Sequence, residues 1–183
     1  MKKTLVVMLL LVIMGIPGIS HSQCSAEQYS LAEQGLEQIT PDLTIHINTL
    51  DYIATALRAL ARKAEGKFQA CQIGLALEII EHHLMRAWYD RLLLQNVSSI
   101  KDAVNLSQMA TILSFSKEPL SNGVHQLHGI HSQTKVKEQR KLYEGARDSM
   151  NSMIAVYDQA IATIRAAISE GKGLPQVSET GRK

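Results

Sequence analysis

The sequence lacks every short pattern that would name a reaction. It has no Gly-x-Ser-x-Gly, no His-Glu-x-x-His, no Cys-x-x-Cys-His and no phosphate-binding glycine loop, which are the local signatures of hydrolases, zinc proteases, covalent haem and nucleotide sites. Aromatic residues are only 4% of the chain, and no segment alternates apolar and polar residues with a period of two, so a β-sheet is not expected. Glycine is sparse inside the apolar seams. What remains is a chain of long stretches with helical periodicity, and no enzymatic activity is expected of it.

The N-terminus has the layout of a cleavable export signal. Lys2 and Lys3 precede an apolar run from Leu5 to Met14, which Gly15, Pro17 and Gly18 end before Ser20-His21-Ser22. Charge, apolar stretch and small residues in that order predict cleavage after Ser22. The run falls short of the about 20 apolar residues that span a bilayer, and Gln23 stands where a lipidated Cys24 would need a small residue. Residues 1–22 are thus expected to be a signal peptide that leaves no stable membrane anchor, delivering the chain to a bacterial periplasm or the secreted fraction. Without Lys2 and Lys3 the 19 basic residues fall to 17, equal to the 17 acidic ones. A nucleic-acid partner is not expected, because neutralising phosphates requires a basic excess.

Residues 23–170 read as a single helical domain and 171–183 as a disordered tail. A first helix carries Tyr29, Ala32, Leu36 and Ile39 on one face. Thr40-Pro41-Asp42 has the form of a helix start, predicting a second helix with the seam Leu43, Ile47, Leu50, Ala54, Leu57, Ala61 and Ala64. A third helix is predicted from Lys67 to Gln95, central in the fold, with Ile73, Leu77, Ile80, Leu84, Trp88 and Leu92 on one side and Leu75, Ile79 and Leu93 beside them. A fourth, capped by Ser98 or Ser99, is predicted to stop near Ser114, ahead of Pro119 and Gly123. The last is the longest, from about Thr134 to Glu170, with the seam Tyr143, Ala146, Met150, Met153, Tyr157, Ala160, Ile164 and Ala167. The predicted fold is all-α: an antiparallel up-and-down bundle of four to five helices with a long C-terminal helix.

Cys24 and Cys71 are the only two cysteines, and an oxidising compartment favours a disulfide between them. If the first two helices fold back on each other the pair comes within reach, and the bridge would contribute about 4 kcal/mol by restricting the unfolded chain. His125, His128 and His131 form a second cluster, in the stretch predicted to be irregular. Imidazoles at that spacing are candidate ligands for Zn, Cu or Ni, completed by His46, His82 or His83 if one of them folds over the site. Glu78, Glu81, His82 and His83 do not have the Glu-x-x-His spacing of di-iron bundles, and are expected on a solvated face paired with Arg86. Met109, Met150 and Met153 are expected in the core. Heptad seams longer than a compact core requires point to binding of a protein partner or of a second copy. The alternative is a metal- or cofactor-binding bundle built on the three histidines.

Overall fold

The structure is a computed structural model that describes residues 24–100 and 104–170. The signal peptide expected at 1–22 and the tail expected at 171–183 lie outside the described residues. Four long helices, α1 (Ala26–Ala61), α2 (Lys67–Gln95), α3 (Leu106–Gln133) and α4 (Lys137–Glu170), form an up-and-down bundle, with a single 3-10 turn at Val97–Ser99. Helix α1 packs on α2 and α4, and α3 packs on α4, while α2 and α3 meet over a thinner interface.

Helix α1 starts at a reciprocal cap. Ser25 Oγ accepts from Gln28 N at 3.2 Å, and Gln28 Oε1 accepts from Ser25 N at 2.7 Å. The amide nitrogen of the same Gln28 donates to Ile168 O at 2.9 Å, fastening the start of α1 to the end of α4. Helix α3 starts in the same way: Asn105 Oδ1 accepts from Gln108 N at 2.8 Å and Gln108 Oε1 from Asn105 N at 3.0 Å. Its cap is therefore Asn105, not Ser98 or Ser99.

Two predicted helix breaks are absent. The first and second predicted helices are one helix of 36 residues that runs through Pro41, and α3 runs through Pro119 and Gly123 to Gln133. A proline removes one backbone donor and leaves the carbonyl four residues earlier without it. Here both prolines and both of those carbonyl-bearing residues, Glu37 and Phe115, are exposed, so water can satisfy the carbonyls. Nearby hydroxyls add bonds to the local backbone: Thr40 Oγ1 donates to Leu36 O at 2.7 Å and Ser116 Oγ to Ile112 O at 3.1 Å. Apolar burial then continues across each proline. Leu36, Ile39, Leu43 and Ile47 are all buried on α1, as are Leu113, Leu120 and Leu127 on α3.

The continuity of α1 removes the geometry on which the Cys24–Cys71 bridge rested. Cys24 lies just before α1, and Cys71 lies in the opening turns of α2, beyond the far end of α1. At 1.5 Å per residue the two are on the order of 40 Å apart, whereas a disulfide needs Cα atoms within about 7 Å. Both cysteines are free thiols, Cys24 half-buried and Cys71 exposed.

Helix α4 matches its predicted seam residue for residue. Tyr143, Ala146, Met150, Met153, Tyr157, Ala160, Ile164 and Ala167 are all buried, and Met109 of α3 is buried with them. The predicted span of α2 is also correct, and its predicted face is buried in part: Ile73, Ile80 and Leu93 are in the core, with Leu77, Ile79 and Leu84 packed against it. Its fully buried positions are Ile73, Ala76, Ile80 and Ala87, whereas Trp88 and Leu75 of the predicted core are exposed.

Candidate functional site

Helix α2 carries two stripes, each advancing by alternating steps of three and four. The inner stripe is Ile73, Ala76, Ile80, His83, Ala87, Asp90 and Leu94, all buried. The outer stripe is Phe68, Cys71, Leu75, Glu78, His82, Met85, Tyr89 and Leu92; it is exposed through Met85 and half-buried at Tyr89 and Leu92. At 100° per residue the two stripes lie about 150° apart around the helix. Small and ionisable residues therefore occupy part of the inside, and large apolar residues much of the outside.

Phe68 is 68% exposed, Met85 61% and Leu75 49%, with Trp88 close to Met85 on the same outward side. Trp88 is fixed by an edge-on contact with Tyr89 at 6.2 Å between ring centres and by the Arg91 guanidinium 5.6 Å from its own ring centre. From α3, Phe115 is 65% exposed. Its neighbour Ser116 accepts from Arg86 Nε at 3.0 Å, which sets Phe115 level with Met85 and Tyr89. By contrast α4 exposes no large hydrophobic residue.

Beside the outer stripe runs a groove of about 580 Å³ between α2 and α3, lined by Leu75, Glu78, Ile79 and His82 on one wall and Glu118, Pro119, Asn122 and Gln126 on the other. Its floor is a close approach of His83 to Gly123, where a Cβ on the glycine would run into His83 Nε2. Burial, and less strongly the neighbouring His82, push the His83 pKa down to about 4, so the ring is neutral near pH 7.

The most deeply buried polar group of α2 is Asp90, 2% exposed. Tyr157 Oη of α4 donates to Asp90 Oδ2 at 3.0 Å, and Arg86 Nε lies 3.5 Å from Asp90 Oδ1. Burial raises the carboxyl pKa despite the opposing influence of Arg86, Ser116 and Tyr157. Burial and the adjacent carboxylate push the Tyr157 hydroxyl upward as well. The network joins α2, α3 and α4 around the buried Asp90 and Tyr157, an arrangement that suits specification of the packing.

The other sequence candidates fall elsewhere. His125, His128 and His131 lie on α3, on regular helix instead of the irregular stretch expected. Steps of three residues on a helix fan three side chains over about 120° and separate the outer two by about 9 Å along the axis. His128 and His131 stack with ring centres 6.5 Å apart. His46 sits against Ser149 of α4. Among the described residues no three His, Cys, Asp or Glu side chains are gathered to hold a metal ion, so the three histidines are not a preformed ligand set. The solvated group expected around Arg86 is also dispersed: Arg86 turns to Asp90, Glu81 pairs with Arg58 of α1 at 2.9 Å, and His83 is buried.

Sequence reasoning missed Asp90, its partners and the outer stripe. Asp90 could have been found, because a carboxylate in phase with Ile73, Ile80 and Ala87 is a buried charge by position. The stripe could have been found by testing α2 for a second heptad phase.

Among the described residues no helix is long and apolar enough to cross a membrane. No known family model, curated protein or solved structure matches the chain. A four-helix bundle with exposed apolar side chains along α2 is the class to which the fold and the site belong.

Proposed function

We propose that the protein is an exported, non-enzymatic interaction module that binds another protein surface through the outward face of α2 and the adjoining rim of α3. The observation that carries this is the run of exposed apolar side chains on one helix: Phe68, Leu75 and Met85 of the outer stripe, with Trp88 beside it, stand in solvent while α4 of the same bundle exposes none. Helix α1 exposes Ile45 and Tyr52 as well, but a run of exposed apolar side chains along one helix is characteristic of a protein contact. Export rests on residues 1–22 as a sequence pattern, and mass spectrometry of protein from its native compartment should find a chain beginning at Gln23.

The test of the binding face is site-directed photocrosslinking in the compartment where the protein resides. A photoreactive side chain at Met85 should give a discrete protein adduct, and one at Gln159 on the exposed side of α4 should give none. Adducts of equal yield from both positions, or from neither, would contradict the assignment.

A further inference from the structure

The composition of the outer stripe identifies its occupant, given the interaction reading above. From either end the stripe runs through three apolar or weakly polar residues to one ionisable residue: Phe68, Cys71, Leu75, Glu78 from the N-terminal side, and Leu92, Tyr89, Met85, His82 from the other. Its steps of three and four are also the same in both directions. We infer that a second copy of the chain covers this face, α2 against α2, antiparallel about a two-fold axis level with Ile80.

In that register Phe68 faces Leu92, Cys71 faces Tyr89, Leu75 faces Met85 and Glu78 faces His82, and each pair occurs twice because the interface is isologous. The carboxylate and the imidazole meet around the axis, and every other contact is apolar or weakly polar. A shift by one heptad in either direction opposes Glu78 or His82 to an apolar partner. A parallel pairing sets Glu78 against Glu78, which like charges disfavour. Of these arrangements the centred antiparallel register alone sets the carboxylate against the imidazole and leaves apolar or weakly polar pairs elsewhere. The stripe from Phe68 to Leu92 is about 36 Å long, and Phe115, level with Met85 and Tyr89, widens the covered strip. A groove lies between α2 and α3, so the second α2 can lie against the α3 rim as well.

The experiment uses the purified mature chain. Sedimentation should show a dimer at micromolar concentration. The variant Tyr89→Cys should form a covalent dimer with the native Cys71 of the other copy under mild oxidation, reversed by reductant. The wild type should not, because its two Cys71 residues would be about 27 Å apart. The variant His82→Glu should weaken the dimer by about tenfold or more, and adding Glu78→His should restore it, because the swap re-pairs opposite partners. All substituted positions are on the outside of α2, and an unchanged melting temperature of the monomer would show the fold retained. A chain monomeric at about 100 µM, or a wild type that links through Cys71 to Cys71, would overturn the antiparallel pairing. If that happens while Met85 still yields a photoadduct to a different protein, self-pairing fails and the interaction reading stands. With neither dimer nor adduct, both fail.

Discussion

Helices α4 and α2 occupy opposite corners of the same bundle and partition their side chains in opposite ways. Helix α4 places Met150, Met153, Ile164 and two tyrosines inside and leaves no large apolar residue outside. Helix α2 buries His83 and Asp90 and exposes Phe68, Leu75, Met85 and Trp88. A helix made only to complete this bundle would resemble α4, since burial of apolar surface is its main source of stability. The distribution on α2 is what a helix with two packing partners requires, one inside the bundle and one outside it. The contrast has a limit: α4 also buries the Tyr143 hydroxyl and both amide atoms of Gln139 without a hydrogen-bond partner among the described residues, and burial pushes the Tyr143 pKa up to about 12.

The largest predicted difference between the two helices is in truncation. Ile164→Ala on α4 empties a fully buried site and should cost about 2–5 kcal/mol, whereas Met85→Ala on α2 should change monomer stability by no more than about 0.5 kcal/mol. Urea unfolding of both variants, at protein concentrations low enough to keep the chain monomeric, checks the pair. Equal losses would erase the distinction on which the interaction face rests.

Next in size are changes at the polar interior of α2. Tyr157→Phe leaves Asp90 Oδ2 without its donor from α4 and should cost about 1–3 kcal/mol. Gly123→Ala drives a methyl group into the buried His83 ring and should cost a similar amount, about 1–3 kcal/mol. On the outer side, Gly74 has nothing within 4 Å of an added Cβ, so Gly74→Ala should stabilise by about 0.5–1 kcal/mol through helix propensity alone. The two glycine substitutions together report which side of α2 is full and which is open.

The smallest effect near pH 7 concerns the two buried ionisable groups, whose linkages oppose each other. His83 titrates near 6.5 when unfolded and at about 4 when folded. The unfolded chain therefore takes up a proton that the folded chain refuses, and this contribution is complete above pH 6.5 and lost as pH falls towards 4. Asp90 has a folded pKa above its ordinary 3.8, so the folded chain holds a proton that the unfolded chain releases, and stability falls as pH rises through the raised value. His83→Gln should flatten the loss of stability between pH 6.5 and 4, and Asp90→Asn should steepen it. Urea midpoints measured across that range decide both.

Helix α4 was legible in the sequence because one apolar seam and one polar face leave a single way to orient it. Helix α2 is legible in extent but only partly in orientation, because its apolar residues surround most of the helix and the largest of them, Trp88, is not in the core. The two helices that run through Pro41 and Pro119 do so for a common reason. Ile39 and Leu43 are four residues apart, so the seams before and after Pro41 are in phase, and Leu113, Leu120 and Leu127 keep phase across Pro119. A seam in phase on both sides of an exposed proline is stronger evidence for one helix than the proline is for two, because the proline removes a single hydrogen bond at a wet carbonyl. The error in α1 propagated to the cysteines, whose pairing depended on a hairpin that does not form. The histidines of α3 are evenly spaced in sequence, but helical rotation fans them over about 120°, and of the three rings His128 and His131 stack.

Hydroxyl-radical footprinting of the protein in its native compartment, set against the same protein purified and dilute, tests most directly whether α2 has a second packing partner. The account predicts that Met85 and Trp88 are strongly protected in the compartment and freely labelled when dilute, while exposed positions of α4 are labelled alike in both. Equal labelling of Met85 and Trp88 under the two conditions would contradict it.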